Sequence, residues 1–160
     1  MRNGLGKAQQ FGFLAEVWAY NVLLSRGYQA KLIANFCADS DIMIDGCCHC
    51  EVKISRQLRR CVRPGYYRPY WNFDLSRVPR NRDSVVILVC QDGFGDWYPF
   101  VAPSWYFSRR YTVNITSHPK VYRGYLADTL NCWGNVADVL ARVSKNTYQL
   151  PLIGELSYVN

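Results

Sequence analysis

Near the start of the chain, apolar positions recur at helical spacing. Phe13, Leu14, Val17, Trp18 and Leu24 keep the three-to-four-residue rhythm of an amphipathic helix, predicting a helix over residues 7–26. Gly27 follows where a left-handed residue closes a last turn. Strand signals come next, at residues 28–34, 40–44 and 48–55. A near-continuous apolar run at 84–90 predicts a buried central strand. Gly93 and Gly95 mark a turn, residues 97–102 return as a strand, and 111–116 supply another. Trp133, Val136, Ala137 and Leu140 mark one face of a second helix, with Thr129 or Asn131 as its cap. Residues 56–83 show no period and predict a loop-rich insert. The order of elements suggests an α/β fold, a central mixed β-sheet flanked by helices. At 160 residues the chain suits a single domain over 1–160.

The alternation is most informative in SDIMIDGCCHCEVKIS, residues 40–55. Strand side chains point to opposite faces in turn. Cys48, Cys50, Val52 and Ile54 share an apolar face, while His49, Glu51, Lys53 and Ser55 share a polar one. In the preceding strand Ile42 and Ile44 are apolar, and Asp41 lies on the face opposite to them. A two-residue Asp45–Gly46 loop would pair Asp41 with Cys50 and mix the faces. A three-residue loop, at 44–46 or 45–47, keeps them apart, and Gly46 can take the left-handed position such loops use. An odd-length loop is therefore expected, with Asp41, Glu51 and Lys53 on one face.

Charge adds a partner class. The sequence has 19 Lys and Arg against 12 Asp and Glu, a formal charge of +7, which favours a polyanionic partner. No run of 18 apolar residues is present, and residues 1–10 lack a signal peptide's apolar stretch. A membrane partner is not expected, and a cytoplasmic, DNA-associated location is. The seven cysteines are read as free thiols. Cys47, Cys48, His49 and Cys50 cannot all converge on one zinc ion, because adjacent strand residues face opposite ways. Cys48 and Cys50 read better as small core residues.

The insert is where nucleic-acid contact is expected. Eight arginines between Arg56 and Arg82 alternate with tyrosines, Trp71 and Phe73. Arginine contacts phosphate, and aromatic rings stack on bases. Arg56, Arg59, Arg60, Arg63, Tyr66, Tyr67 and Arg68 are the candidate contacts. The bland alternative is a solvated basic loop with its aromatic residues turned inward.

Two carboxylates and a lysine on one hairpin face suit phosphodiester chemistry. Carboxylates can hold a hard cation such as Mg²⁺, and a nearby lysine can orient water or stabilise a developing phosphorane. The Cβ atoms of Glu51 and Lys53 should be about 6–7 Å apart. A surface hairpin carrying a Glu51–Lys53 ion pair would give the same spacing.

Context favours the chemistry. Gly12, Ala15, Glu16, Leu23 and Gly27–Tyr28, then Ser40–Asp41, then Glu51-Val52-Lys53-Ile54-Ser55, resemble the motif series of the PD-(D/E)xK nucleases: junction resolvases, restriction enzymes and some homing endonucleases. The resemblance covers residues 4–56, with Ser40 where many members carry proline. It implies a restriction-endonuclease-like core and a metal-dependent endodeoxyribonuclease of homing, restriction or junction-resolving type. It also implies Mg²⁺ or Mn²⁺ held by Asp41, Glu51 and the Val52 carbonyl, catalytic Lys53, and Glu16 approaching from the helix. His49 and Ser55, on the same face, are further candidates. Cutting both strands suggests a homodimer or higher homo-oligomer. The alternative is a catalytically inactive nucleic-acid-binding module on the same fold.

Overall fold

The structure, a computed structural model, describes residues 6–33 and 40–148. Its first helix, α1 (Lys7–Ser25), starts where the Gly6 N–H donates to Gln9 Oε1 (3.0 Å). It ends at Gly27, whose φ of +88° lets the Tyr28 N–H return to the Leu23 carbonyl (3.2 Å). The buried stripe differs from the expected one. Ala15, Ala19 and Leu23 are fully buried, whereas Phe13, Leu14 and Leu24 are exposed. Small alanines let the helix backbone lie close to the sheet, where a bulkier residue would hold it off. Trp18 fills the rim, edge-on to Trp97 (5.4 Å) and Trp133 (6.0 Å).

The sheet under α1 has five strands: β1 (Ala30–Leu32), β2 (Ile42–Ile44), β3 (Cys48–Arg56), β6 (Val85–Gln91) and β7 (Trp97–Pro103), in the order β1-β2-β3-β6-β7. Only β3 and β6 are parallel; the other pairings are antiparallel, so the sheet is mixed. Ala34, the expected end of the first strand, and Cys37 lie outside the described residues.

The β2–β3 register is the odd-length one. Ile42 pairs with Cys50 and Ile44 with Cys48, leaving Asp45, Gly46 and Cys47 as the connection. Asp45 (φ +49°) and Gly46 (φ +71°) are both left-handed, and the Cys47 N–H donates to the Ile44 carbonyl (3.1 Å). This is a tight Asp-Gly turn followed by one extra residue, Cys47, which restores the pairing of apolar with apolar. The Asp45 carboxylate also accepts from the Gln29 N–H (2.8 Å), tying the turn to the lead-in to β1.

The two faces of this sheet carry separate cores. Ile42, Ile44, Cys48, Cys50, Val52, Val85, Ile87 and Val89 pack under α1 and the second helix, α2 (Gly134–Tyr148), through Val136 and Val139. The opposite face, with Val86, Leu88 and Phe100, is covered by a second sheet. That sheet overturns the expected loop-rich insert. Residues 56–83 contain β4 (Leu58–Arg63) and β5 (Tyr66–Asp74), and β5 pairs in turn with β8 (Thr112–Ile115). Gly65 (φ +77°) makes the β4–β5 turn. Every residue of β4 is exposed, so the strand offers no in–out alternation to read. Trp71, Phe73 and Leu75 do alternate with Asn72 and Asp74, which is a strand signal within the insert.

The second helix departs from expectation at its start. Neither Thr129 nor Asn131 caps α2: the Thr129 hydroxyl donates to the Leu126 carbonyl (2.8 Å), and α2 begins only at Gly134. Val139 is buried on its inner face, while Ala137 is exposed. Arg80, one of the eight arginines, donates to the carbonyls of Leu75, Phe107 and Arg110, so it latches loops together. The arrangement is the restriction-endonuclease-like α/β core, with both long helices on one face of the central sheet.

Replacing Ala19 with Leu should lift α1 from the sheet and lower stability by about 1–3 kcal/mol. Urea denaturation would show this as a lower midpoint, and an unchanged midpoint would contradict the close packing of α1 on the sheet.

Candidate active site

The site is built where β2, β3 and α1 meet. Ser40, buried beside β2, places its hydroxyl 3.0 Å from the Ile42 carbonyl and 3.2 Å from that of Cys50. The Asp41 N–H donates to the Cys50 carbonyl (3.0 Å), and Asp41 Oδ2 accepts from the Val52 N–H (2.7 Å). Ser40 thus fixes the backbone, and Asp41 folds its carboxylate back onto β3. Glu51 and Lys53 project from the face of β3 opposite to Cys50 and Val52. Lys53 Nζ lies 2.6 Å from Glu51 Oε1. This is the ion pair of the bland reading, but it is not a surface pair: Glu51 is only 8% exposed. Breaking it by losing Lys53 would leave a buried carboxylate without its partner.

Electrostatics couple a fourth residue to these three. Burial pushes the Glu16 carboxyl up to about 7, and the charges of Asp41 and Glu51 push the same way, against Lys53. Burial likewise raises Asp41, opposed by the Val52 N–H and by Lys53. Glu51 is raised by burial and by Asp41, against the pull of Lys53. Burial is the main cause at all three carboxyls; the charge of Asp41 adds to it at Glu51 and, with that of Glu51, at Glu16, and one ammonium does not offset them. Glu16, Asp41, Glu51 and Lys53 are therefore brought together.

The expected Mg²⁺ or Mn²⁺ site is corrected. Among the described residues, no three His, Cys, Asp or Glu side chains form a group that could hold a metal ion. The reason is visible in the carboxylates' partners. Asp41 accepts from the Val52 N–H and Glu51 pairs with Lys53, so each carboxylate already has a partner within the protein.

The remaining candidates fall in different places. His49 is half-buried on the same face as Glu51, opposite Met43. Ser55 accepts from the Asn72 N–H (3.3 Å), which joins β3 to β5 and makes it a strut. Arg56 lies over the Phe11 ring (4.3 Å to its centroid), held from α1 by a cation–π contact. Arg59, Arg60, Arg63, Tyr66, Tyr67 and Arg68 all lie exposed on the β4–β5 hairpin. Cys48 and Cys50 are fully buried core residues; burial pushes the Cys48 thiol up to about 12 and that of Cys50 upward as well. The six cysteines among the described residues are free.

Residues to which the sequence reading gave no role in the site complete the surroundings. Asn72, Asp74 and Arg77 line a cleft of about 280 Å³ together with Lys53. Arg77 belongs to the insert's arginines and Asn72 and Asp74 to its alternating segment, but their place beside Lys53 depends on β5 packing across β3.

Comparison with known proteins gives a fold-level answer. No protein-family model matches the chain, and no curated protein does. Among solved structures, the chain is similar to a bacterial homing endonuclease, I-Ssp6803I, with a TM-score of 0.56 and 15% identity, over 90% of this chain and 98% of that one. At that identity the likeness is one of fold. It concerns the α/β core with its central mixed sheet and assigns no particular member. Among the described residues, no helix is long and apolar enough to cross a membrane.

A raised carboxyl pKa makes a testable mark on stability. The Glu16 carboxyl favours folding fully below its unfolded value of 4.5, and that contribution is lost as pH rises through about 7. Glu16→Gln should therefore stabilise the protein at pH 8 by roughly 1 kcal/mol after discounting for its half-exposed setting, or about 2–4 °C in Tm. Near pH 4 the difference should vanish. A variant less stable than wild type at pH 8 would contradict a Glu16 carboxyl raised by burial and by its acidic neighbours.

Proposed function

We propose that the chain is an endodeoxyribonuclease that hydrolyses DNA phosphodiester bonds. The observation that carries this reading is the coupling of Glu16, Asp41, Glu51 and Lys53 on one patch, bordered by the arginine-rich hairpin. The fold-level likeness to a homing endonuclease supports it.

In this reading Glu16 is the general base. A carboxyl held near 7 is half-ionised at neutral pH, so it can take a proton from the attacking water and release it again. Lys53 shifts from Glu51 toward the scissile phosphate and stabilises the charge on its oxygens as the water oxygen bonds to phosphorus, the opposite P–O ester bond breaks, and the departing sugar oxygen takes up a proton. Glu51 holds Lys53 in place before substrate arrives. Asp41 holds the β3 backbone through Val52 and, by its charge, keeps the Glu16 pKa high. Arg56 and Arg59 grip the phosphates on either side, with Arg63, Tyr66 and Tyr67 further along the hairpin. A duplex has two strands, and each chain offers one centre, so double-strand cutting would use a homodimer or larger assembly. Its substrate would place the protein with DNA inside the cell.

A second reading has one observation in its favour. Lys53 is already committed to Glu51 at 2.6 Å, as it would be in a DNA-binding module without catalysis. The two readings part on cleavage of supercoiled plasmid, assayed both with a divalent salt and with a chelator. The nuclease reading expects nicked and linear products from wild type, and about a hundredfold less from Lys53→Ala and Asp41→Asn. Its rate should rise with pH through about 7, and Glu16→Gln should lack that step. Retained DNA binding with no cleavage under either condition would favour the module. Loss of both would refute a DNA-directed function.

A further inference from the structure

The three-stranded sheet β4-β5-β8 has two unlike faces. Its inner face is apolar, with Trp71, Phe73, Val113 and Ile115 buried against the central sheet. On the outer face the register sets Arg60 opposite Arg68 and Asn72 opposite Asn114, and all four are exposed. Strand alternation places Tyr70 on that face, between the two rows. β8 stops at Ile115, opposite Trp71. Beyond that point β4 and β5 continue as a two-stranded ribbon.

Three features of this outer face call for a ligand. First, Arg60 and Arg68 are direct cross-strand partners, and like charges so placed destabilise a sheet. Residues 57–73 hold no carboxylate to offset them. Second, Arg63 and Arg68 both lie against the Tyr66 ring, at 5.5 and 5.6 Å, which holds their planar forks in place. Third, the face lines a cleft, and the Asn72–Asn114 hydrogen bond links that cleft to the one beside Lys53. Arg60, Arg68, Tyr70 and Asn114 line a cleft of about 630 Å³, and Asn72 belongs to the smaller cleft that contains Lys53.

We propose that this face reads base edges in the major groove of duplex DNA, with Arg60 and Arg68 donating to guanine. The inference rests on the nuclease reading only in taking duplex DNA as the partner. Strands about 4.8 Å apart make a ribbon that enters a groove about 12 Å wide. An arginine fork matches the paired N7 and O6 acceptors of guanine. The Asn72 amide donates to Asn114 Oδ1 (2.8 Å), which leaves the Asn114 N–H₂ and the Asn72 oxygen free as a donor–acceptor pair. That pair complements adenine N7 and N6. Asn72 and Arg68 are four positions apart, about 14 Å of strand, or about four base steps. The guanine contacts therefore fall about four base pairs from the position facing Lys53. Arg59 and Arg56, off this face, remain for phosphates.

The test is selection of bound duplexes from a randomised library by wild type, Arg60→Gln and Arg68→Gln, followed by affinity measurements on the enriched duplex. Wild type should enrich a motif containing guanine. Replacing that guanine with 7-deazaguanine, which removes N7 and leaves the protein untouched, should weaken binding about tenfold or more. Each arginine variant should lose the preference at one position while keeping its affinity for unselected duplex within about threefold. If wild type binds duplex tightly but enriches no motif, or if each variant weakens all sequences equally, the face only contacts phosphates and the proposal fails while the DNA-directed reading stands. If wild type neither binds nor cuts duplex, both fail together.

Discussion

The β2–β3 register is the constraint on which the rest of the molecule depends. The extra residue Cys47 after the Asp45–Gly46 turn sets Ile42 against Cys50 and Ile44 against Cys48. With that register, apolar side chains face α1 and the polar set faces the other way. A slip of one residue would drive Glu51 and Lys53 into the helix-covered core and expose Cys50 and Val52. Stability and site geometry are thus fixed by the same few hydrogen bonds, those of Ser40, Asp41 and the Asp45 turn.

From that register the electrostatics follow. Glu51 is buried, so its charge is costly, and Lys53 two residues on is the nearest compensation. Asp41 takes a backbone N–H for the same reason. Glu16, beside the closely packed Ala15, is part-buried near two carboxyls, and that burial, with their charges added, raises its carboxyl to about 7. A site arranged purely for stability would not place three carboxyls around one ammonium, because an apolar patch of the same volume would cost less. The unfavourable charge is concentrated where chemistry is proposed, while the stable parts, β3 and β6 with their buried valines and isoleucines, hold it rigid.

Much of this is legible in the chain. Alternation at 40–55 defines both faces of the hairpin and the odd length of its loop, since a period of two fixes parity once one face is apolar, while 44–46 and 45–47 fit equally until the pairing is seen. The run at 84–90 marks the central strand. Other parts are hidden for physical reasons. Phe13, Leu14 and Leu24 point to the wrong stripe of α1, because close helix–sheet packing uses alanine, which carries little hydrophobic signal. The hairpin at β4 and β5 escapes a reading by period because its outer end is exposed on both sides. Spacing identifies the carboxylates but not their partners: Asp41 accepts from the Val52 N–H and Glu51 pairs with Lys53, and no three-ligand metal group forms among the described residues. Asn72, Asp74 and Arg77 reach Lys53 only through tertiary packing.

The central claim is that Glu16, Asp41, Glu51 and Lys53 form a single coupled centre. Carboxyl ¹³C NMR titration of Glu16 in wild type, Asp41→Asn and Lys53→Met would test it most directly. The account predicts a Glu16 midpoint near 7 in wild type, lower in Asp41→Asn and higher in Lys53→Met. A midpoint near 4.5 that neither substitution moves would show that Glu16 stands apart from the other three, and would contradict the account.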